Sequence, residues 1–129
     1  IPEITNFVES IGLSERNLPG LSTYNFNTIE IDSSITALQE LIQGYDTIIL
    51  IIPSRSLWIG TSEQLKTSRM IHDKFIEGLA LNNIKYIDMS NFFIENNPTS
   101  YHFKRDGHWN NKGHSAAAEK LSSYIKLAD

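Results

Sequence analysis

The segment RDGHWNNKGH, from Arg105 to His114, holds the residues of this 129-residue chain best suited to acid–base chemistry. It contains two of the four histidines, and Asp106 precedes His108 by two positions. A histidine acting as general base needs a pKa near the working pH and a fixed tautomer. A neighbouring carboxylate fixes the tautomer by accepting from the far ring nitrogen, and it stabilises the imidazolium that forms. Gly107 would let the backbone bend enough to bring the two side chains together.

Two other interpretations of this segment remain open. The histidines at positions 102, 108 and 114, with Asp106, carry zinc-binding groups, but a spacing of six and six matches no helical ligand pattern, so no metal site is expected. Alternatively, Asp106 caps a turn, His108 lies at the surface and Asn110 is the N-cap of a helix. Trp109 packs in most such contexts and binds in few.

His72 and His114 are assigned structural positions. His72 is expected in the middle of a helix near Asp73, at the surface. His114 falls in the first turn of the last helix, where a positive charge would oppose the helix dipole. We therefore expect a neutral His114 packed against the preceding loop.

Composition limits the classes of function. The chain is 40% hydrophobic and 20% charged, which is typical of a globular domain, and residues 1–129 are expected to form a single domain. The net charge of −4 argues against nucleic-acid binding, which needs clustered lysines and arginines. There is no cysteine, so disulfides and thiolate metal sites are excluded. The longest apolar run, TIILIIP at 47–53, is too short to cross a bilayer, so no transmembrane segment is expected.

The first half of the chain predicts a strand, a helix and a second strand. NTIEID at 27–32 is typical of a short strand. A helix is expected from Asp32 or Ser33 to Gly44, because apolar residues recur there at helical spacing. DTIILII at 46–52 is a run rich in β-branched residues, which indicates a strand covered on both faces.

The second half continues the alternation. Thr61 and Gln64 have the spacing of a capping box, which predicts a helix from there to residues 82–83. IKYIDMS at 84–90 predicts a third strand, followed over 91–105 by a loop with room for one helical turn. The last helix should open at Asn110 or Asn111 and bury four residues on one side: Ala117, Leu121, Tyr124 and Ile125.

This order of elements predicts an α/β fold, with a three-layer parallel sheet and helices on both faces. Ligands of such sheets bind beyond the carboxyl ends of the strands. Three segments should reach that edge: PSRSLW at 53–58, MSNFF at 89–93 and the loop bearing RDGHWN. The fold therefore places the acid–base cluster where a site is expected.

The block DGHWNNKGHSAAAEKL resembles the last sequence block of the SGNH, or GDSL, hydrolase superfamily, in which an aspartate and a histidine lie in a loop before the final helix. YDTIILIIPSRSLW, IKYIDMSNFF and YHFKRDGHWN are also similar to bacterial members, so that the resemblance covers roughly residues 45–125. It implies an SGNH/flavodoxin-like fold with His108 as the catalytic base and Asp106 as its partner. Many members have two residues between the acid and the histidine. This chain has one, as in the D-x-H-W form of related polysaccharide O-acetyltransferases.

The resemblance implies a serine esterase or O-acyltransferase without a cofactor. Its substrate would be an ester, such as an acetylated carbohydrate, and its location periplasmic, envelope-associated or secreted. Trp109, Ser54 and Arg55 are expected near the substrate. The alternative is a non-catalytic SGNH-like module that binds a carbohydrate or a partner protein.

The G-D-S block that carries the superfamily's nucleophile does not occur in this sequence, nor do the glycine and G-x-N-D blocks of its oxyanion hole. We therefore expect the chain to be the C-terminal part of a longer SGNH-like domain, poorly active alone because it supplies only the His/Asp half of the site. Otherwise Ser54 or Ser56 has replaced the nucleophile. The simpler expectation is that Ser54 is a turn residue after Pro53 and Arg55 is solvated.

The missing first strand has a structural consequence. Without it, the strand at 46–52 or a neighbour would present unpaired backbone groups along an apolar edge, which is a template for pairing with another chain. We expect residues 1–25 to cover this edge, or the chain to self-associate through it.

Overall fold

The computed structural model describes residues 28–104 and 107–128 of the chain. The helices and strands in chain order are α1 (Thr28–Ile42), β1 (Ile49–Ile51), α2 (Ser62–Leu81), β2 (Tyr86–Asp88), α3 (Ser90–Glu95) and α4 (Asn111–Ala128). The 3-10 turns Arg55–Leu57 and Pro98–Tyr101 lie in the connections between these elements.

The two strands pair in parallel, with Ile49 opposite Tyr86 and Ile51 opposite Asp88. They lie inside the segments predicted to be the second and third strands, and α2 is the crossover that a parallel pair requires. The N–H of Met89 donates to the carbonyl of Ile51 at 3.3 Å, so the two strands are still paired where they end, at the carboxyl edge of the sheet. The wider three-layer sheet stays a prediction, because the sheet formed by the described residues has two strands.

The strand predicted at 27–32 is wrong over the described residues, because α1 begins at Thr28. The alternating pattern of that short segment fits a strand, but its Ile31 also continues the helical spacing of the residues that follow. The face so formed packs on α2 and the sheet through Ile31, Ile35, Leu38 and Ile42. Burial along a face of about three turns outweighs the weak strand preference of a few residues. Gly44 follows the helix with a φ of 84°, as expected for a residue that ends one.

The start of α2 is a capping box, as its sequence predicts. The hydroxyl of Thr61 accepts from the N–H of Gln64 at 3.3 Å, and the side-chain oxygen of Gln64 accepts from the N–H of Thr61 at 2.7 Å. These bonds satisfy two backbone groups that would otherwise lack partners at the helix start. The helix ends at Leu81.

One hydrophobic cluster joins α1, α2 and the strands around Ile35, Leu79 and Ile84. Its helices approach closely at Gly78, where an added methyl group would lie 2.9 Å from Cγ1 of Ile35. The described helices and strands are thus held together on this side by aliphatic packing.

A second cluster is mainly aromatic and includes Trp109, from the described part of the segment RDGHWNNKGH. Its buried members are Met89, Phe93, Tyr101, Trp109, Ala116 and Ala117. The first half of α4 covers this cluster through Ala116 and Ala117. Of the other residues predicted to be buried on α4, Leu121 is half-buried, whereas Tyr124 and Ile125 are exposed. The prediction for Tyr124 and Ile125 is wrong because the aromatic partners lie against the first half of the helix.

Candidate functional site

Residues 101–104 and 107–110 lie side by side as the two arms of a short hairpin, and the second arm leads to the start of α4. His102 and Trp109 are opposite each other in an antiparallel bridge. The N–H of Phe103 donates to the carbonyl of His108 at 3.1 Å, and the N–H of Asn110 donates to the carbonyl of Tyr101 at 3.0 Å. The loop predicted over 91–105 was expected to hold one helical turn, and over its described residues it contains most of α3 and the 3-10 turn Pro98–Tyr101.

The two faces of the hairpin differ in exposure. His102 and Trp109 point into the aromatic cluster and are 5% and 7% exposed. Phe103 is 52% exposed and His108 is also exposed. Because successive side chains of an extended segment alternate between faces, Phe103 and His108 project together from the solvent side. The candidate base is thus accessible, and Trp109 supports it from behind without presenting its own ring at the surface.

Asn110 joins the hairpin to the last helix. Its side-chain oxygen accepts from the N–H groups of Lys112 at 2.9 Å and Gly113 at 3.2 Å, so it is the N-cap that the sequence predicts. Its amide nitrogen donates to the carbonyls of Ser100 at 2.9 Å and His102 at 3.1 Å. One side chain therefore fixes the position of the hairpin relative to α4.

His102 lies on the inner side of the hairpin with a fixed tautomer. Its Nδ1 is 3.0 Å from the carbonyl oxygen of Pro98, which can only accept, so Nδ1 carries the proton. Nε2 is buried without a hydrogen-bond partner among the described residues, and the ring packs on those of Trp58 and Phe93. Burial lowers the pKa of His102; the bond to Pro98 opposes this effect, and the positive charge of Arg55 adds to it.

Arg55 lies under the hairpin and is 9% exposed, so the expectation of a solvated side chain is wrong. The 3-10 turn Arg55–Leu57 follows β1 and is buried along its whole length. A methyl group on Gly107 would lie 4.0 Å from Cδ of Arg55, which shows how close the arginine comes to the loop. The structure thus brings Arg55 close to Gly107, beyond the carboxyl end of β1.

Ser54 is exposed and caps the 3-10 turn that contains Arg55. Its hydroxyl oxygen accepts from the backbone N–H of Ser56 at 3.3 Å and from the hydroxyl of Ser56 at 3.0 Å. This is the turn role expected for a serine after Pro53.

Asp106, the predicted partner of His108, lies outside the described residues, as does Arg105. The hydrogen bond between the Asp106 carboxylate and the His108 ring therefore stays a prediction. Among the residues that the structure describes, no three histidine or acidic side chains are grouped as metal ligands. His114 contacts Trp109 of the loop as expected, with their ring centroids 5.8 Å apart, but the residue is exposed and not buried against the loop.

A histidine–aspartate pair that the sequence did not reveal joins α2 to β2. His72 was expected at the surface, but its Nε2 lies 3.0 Å from Oδ2 of Asp88. Asp88 also accepts from the hydroxyl of Ser90 at 2.7 Å and from its N–H at 2.9 Å. Burial alone would raise the pKa of Asp88, but the hydrogen bonds from His72 and Ser90 outweigh it and hold the pKa below its ordinary value.

The sequence indicates a structural role for Asp88 but not its pairing with His72. An aspartate at a strand end, two positions before a serine, is typical of a turn in which the carboxylate caps the next helix. Its histidine partner lies sixteen residues earlier on a different element, and only the packing of α2 on the sheet brings the two together.

Comparison of the chain with protein-family models, with curated proteins and with solved structures found no match in any of the three. Within the described part of the chain, no helix combines the length and apolarity that crossing a membrane requires.

Proposed function

We propose that this chain carries the acid–base part of a serine esterase or O-acyltransferase of SGNH type, with His108 as the base and Asp106 as its orienting acid. The observation that supports the proposal is the hairpin, which exposes His108 while Trp109 and Asn110 anchor it from behind. A general base needs access to its substrate and a fixed position, and this arrangement provides both.

In the proposed reaction, a serine hydroxyl attacks the carbonyl carbon of an ester while His108 takes its proton. The tetrahedral intermediate then collapses, the bond to the alcohol oxygen breaks, and His108 returns the proton to that oxygen. Asp106 keeps the imidazole in the tautomer that faces the serine and stabilises the imidazolium. No metal or organic cofactor is part of this scheme.

Arg55 supports the role of Asp106. Its side chain lies beside Gly107, the residue next to Asp106 in the chain, and it is largely removed from water. A positive charge in this position favours the ionised form of a nearby carboxylate, which is the form that can orient an imidazole. Arg55 is therefore proposed to act within the site, behind the loop.

The nucleophile is the part of the proposal that lies outside the described residues. The sequence contains no G-D-S block, and Ser54 is engaged with Ser56 at its turn. We propose that the serine and the oxyanion donors belong to an upstream part of the same protein, which this domain completes. A non-catalytic module with the same hairpin is the rival proposal.

The dyad can be tested without the nucleophile by nitrogen NMR of the His108 ring in alkaline buffer, which reports the tautomer of the neutral imidazole, in the chain and in Asp106→Ala. A carboxylate partner holds the ring proton on the nitrogen that faces it, so one tautomer should dominate more strongly in the parent than in the variant. Asp73→Asn, which removes an exposed acid from α2, is the control and should leave His108 unchanged. The same tautomer balance of His108 in the parent and in Asp106→Ala would reject the dyad and favour the non-catalytic module.

Activity gives a second test. The chain alone should hydrolyse p-nitrophenyl acetate little better than free imidazole, because the nucleophile and oxyanion donors are missing. Rapid turnover that is abolished in Ser54→Ala would show that Ser54 has replaced the nucleophile.

A further inference from the structure

Phe103 is an exposed aromatic residue next to the candidate base. Its N–H donates to the carbonyl of His108, which makes the two residues cross-strand neighbours on the outer face of the hairpin. Such neighbours have Cβ atoms about 4.5–5.5 Å apart, so their side chains can touch the same ligand. Roughly half of the Phe103 side chain remains open to solvent at this position.

The chemistry of the base indicates which part of a substrate would meet Phe103. His108 must approach the oxygen of the leaving alcohol to return a proton to it. The alcohol group therefore lies next to the imidazole, and a side chain beside the imidazole lies next to the alcohol group. The acyl group extends from the other side of the scissile bond.

The shape of the exposed surface indicates what kind of alcohol would bind. Phe103 offers one flat apolar face, and its neighbours on the hairpin, Lys104 and Gly107, are exposed as well. A flat face stacks on a ring, whereas a short flexible alcohol would need an enclosed pocket to lose a comparable area to water.

We infer that Phe103 determines the specificity of the site for the alcohol part of the ester and selects alcohols that carry a ring. The inference rests on the proposed function, since it takes its direction from His108 as the base. A ring stacks on the outer face of Phe103 and brings its ester oxygen to the imidazole.

Binding of two small acetates would test the inference. Phenyl acetate carries a ring on its alcohol side and ethyl acetate does not, while the acyl group is the same. Each acetate is titrated into the folded chain, and binding is monitored by the amide chemical shifts of the hairpin. The parent should bind phenyl acetate roughly threefold to tenfold more tightly than Phe103→Ala does. The affinity for ethyl acetate should change little.

Two further variants make the result specific. Phe103→Leu keeps an apolar side chain but loses the flat face, so it should also lose the preference for phenyl acetate. Tyr45→Ala removes an aromatic side chain that is 77% exposed in another part of the chain, and it should bind both acetates like the parent. Unchanged binding of phenyl acetate in both Phe103 variants would overturn the inference.

The proposed function and this inference can fail separately. If Asp106→Ala leaves the tautomer balance of His108 unchanged, the dyad fails whatever Phe103 binds. If the dyad holds but phenyl acetate binds the Phe103 variants and the parent equally, the base is correct and Phe103 does not select the alcohol.

Discussion

Nε2 of His72 lies 3.0 Å from Oδ2 of Asp88, and this contact ties the middle of α2 to the carboxyl end of β2. The same carboxylate receives two hydrogen bonds from Ser90, at the start of α3. Three elements therefore converge on one largely buried acid. α3 is followed by the 3-10 turn Pro98–Tyr101 and then by the hairpin, so the contact between His72 and Asp88 helps to position the candidate site.

Asp88→Ala should lower the free energy of unfolding by about 1–3 kcal/mol, because it leaves His72 and the start of α3 without their acceptor. Urea unfolding near pH 7 measures the change. Asp73→Ala, at an exposed position next to His72 in the chain, is the matched control and should have little effect. A loss in Asp88→Ala no larger than in this control would show that the contact contributes nothing to stability.

The free energy of unfolding at low pH depends on the Asp88 carboxylate as well. The pKa of Asp88 is lowered in the folded state, so the unfolded chain binds a proton first as the pH falls. Its contribution is present above the ordinary pKa of an aspartate and is lost as the pH falls through the folded value. Asp88→Asn should flatten the loss of stability below about pH 4, measured by unfolding at a series of pH values.

Local signals in the sequence predicted more of this structure than long-range ones did. The capping box at Thr61 and the N-cap at Asn110 were found because both are made by residues a few positions apart. The burial of Arg55 and the contact between His72 and Asp88 were missed because they depend on how separate elements pack. The strand prediction at 27–32 failed for a related reason. The short segment fits both the alternation of a strand and the spacing of a helix, and the packing of α1 on α2 stabilises the helix.

His102 should make the folded state sensitive to mild acid. Its pKa is lowered in the folded state mainly by burial, so below about pH 6.5 the unfolded chain takes up a proton that the folded chain does not. The free energy of unfolding therefore falls as the pH drops from 7 until it passes the folded pKa. His102→Asn removes the titrating group and keeps a donor for the carbonyl of Pro98.

The measurement for His102 is chemical unfolding between pH 7 and pH 5. The decline in stability should be smaller in His102→Asn than in the parent. His114→Asn is the control, because His114 is exposed on α4, and its profile should follow that of the parent. The same decline in His102→Asn and in the parent would assign the acid sensitivity to other groups.

The side-chain oxygen of Asn110 caps α4, and its nitrogen binds the hairpin. Asn110→Ala should lower the free energy of unfolding by about 1–3 kcal/mol, because it removes the helix cap and leaves backbone carbonyls of the hairpin without a donor. Asn110→Asp keeps the acceptor for the N–H groups of Lys112 and Gly113 but cannot donate to the carbonyls of Ser100 and His102. The aspartate variant should therefore retain α4 while the hairpin loosens.

Amide hydrogen exchange separates the two effects of the Asn110 substitutions. Protection of the Phe103 N–H should fall in both variants, and protection in the first turn of α4 should fall only in Asn110→Ala. Asn111→Ala, at the neighbouring exposed position, should leave both regions protected, and protection of Phe103 in Asn110→Asp equal to that of the parent would mean that the cap alone holds the hairpin in place.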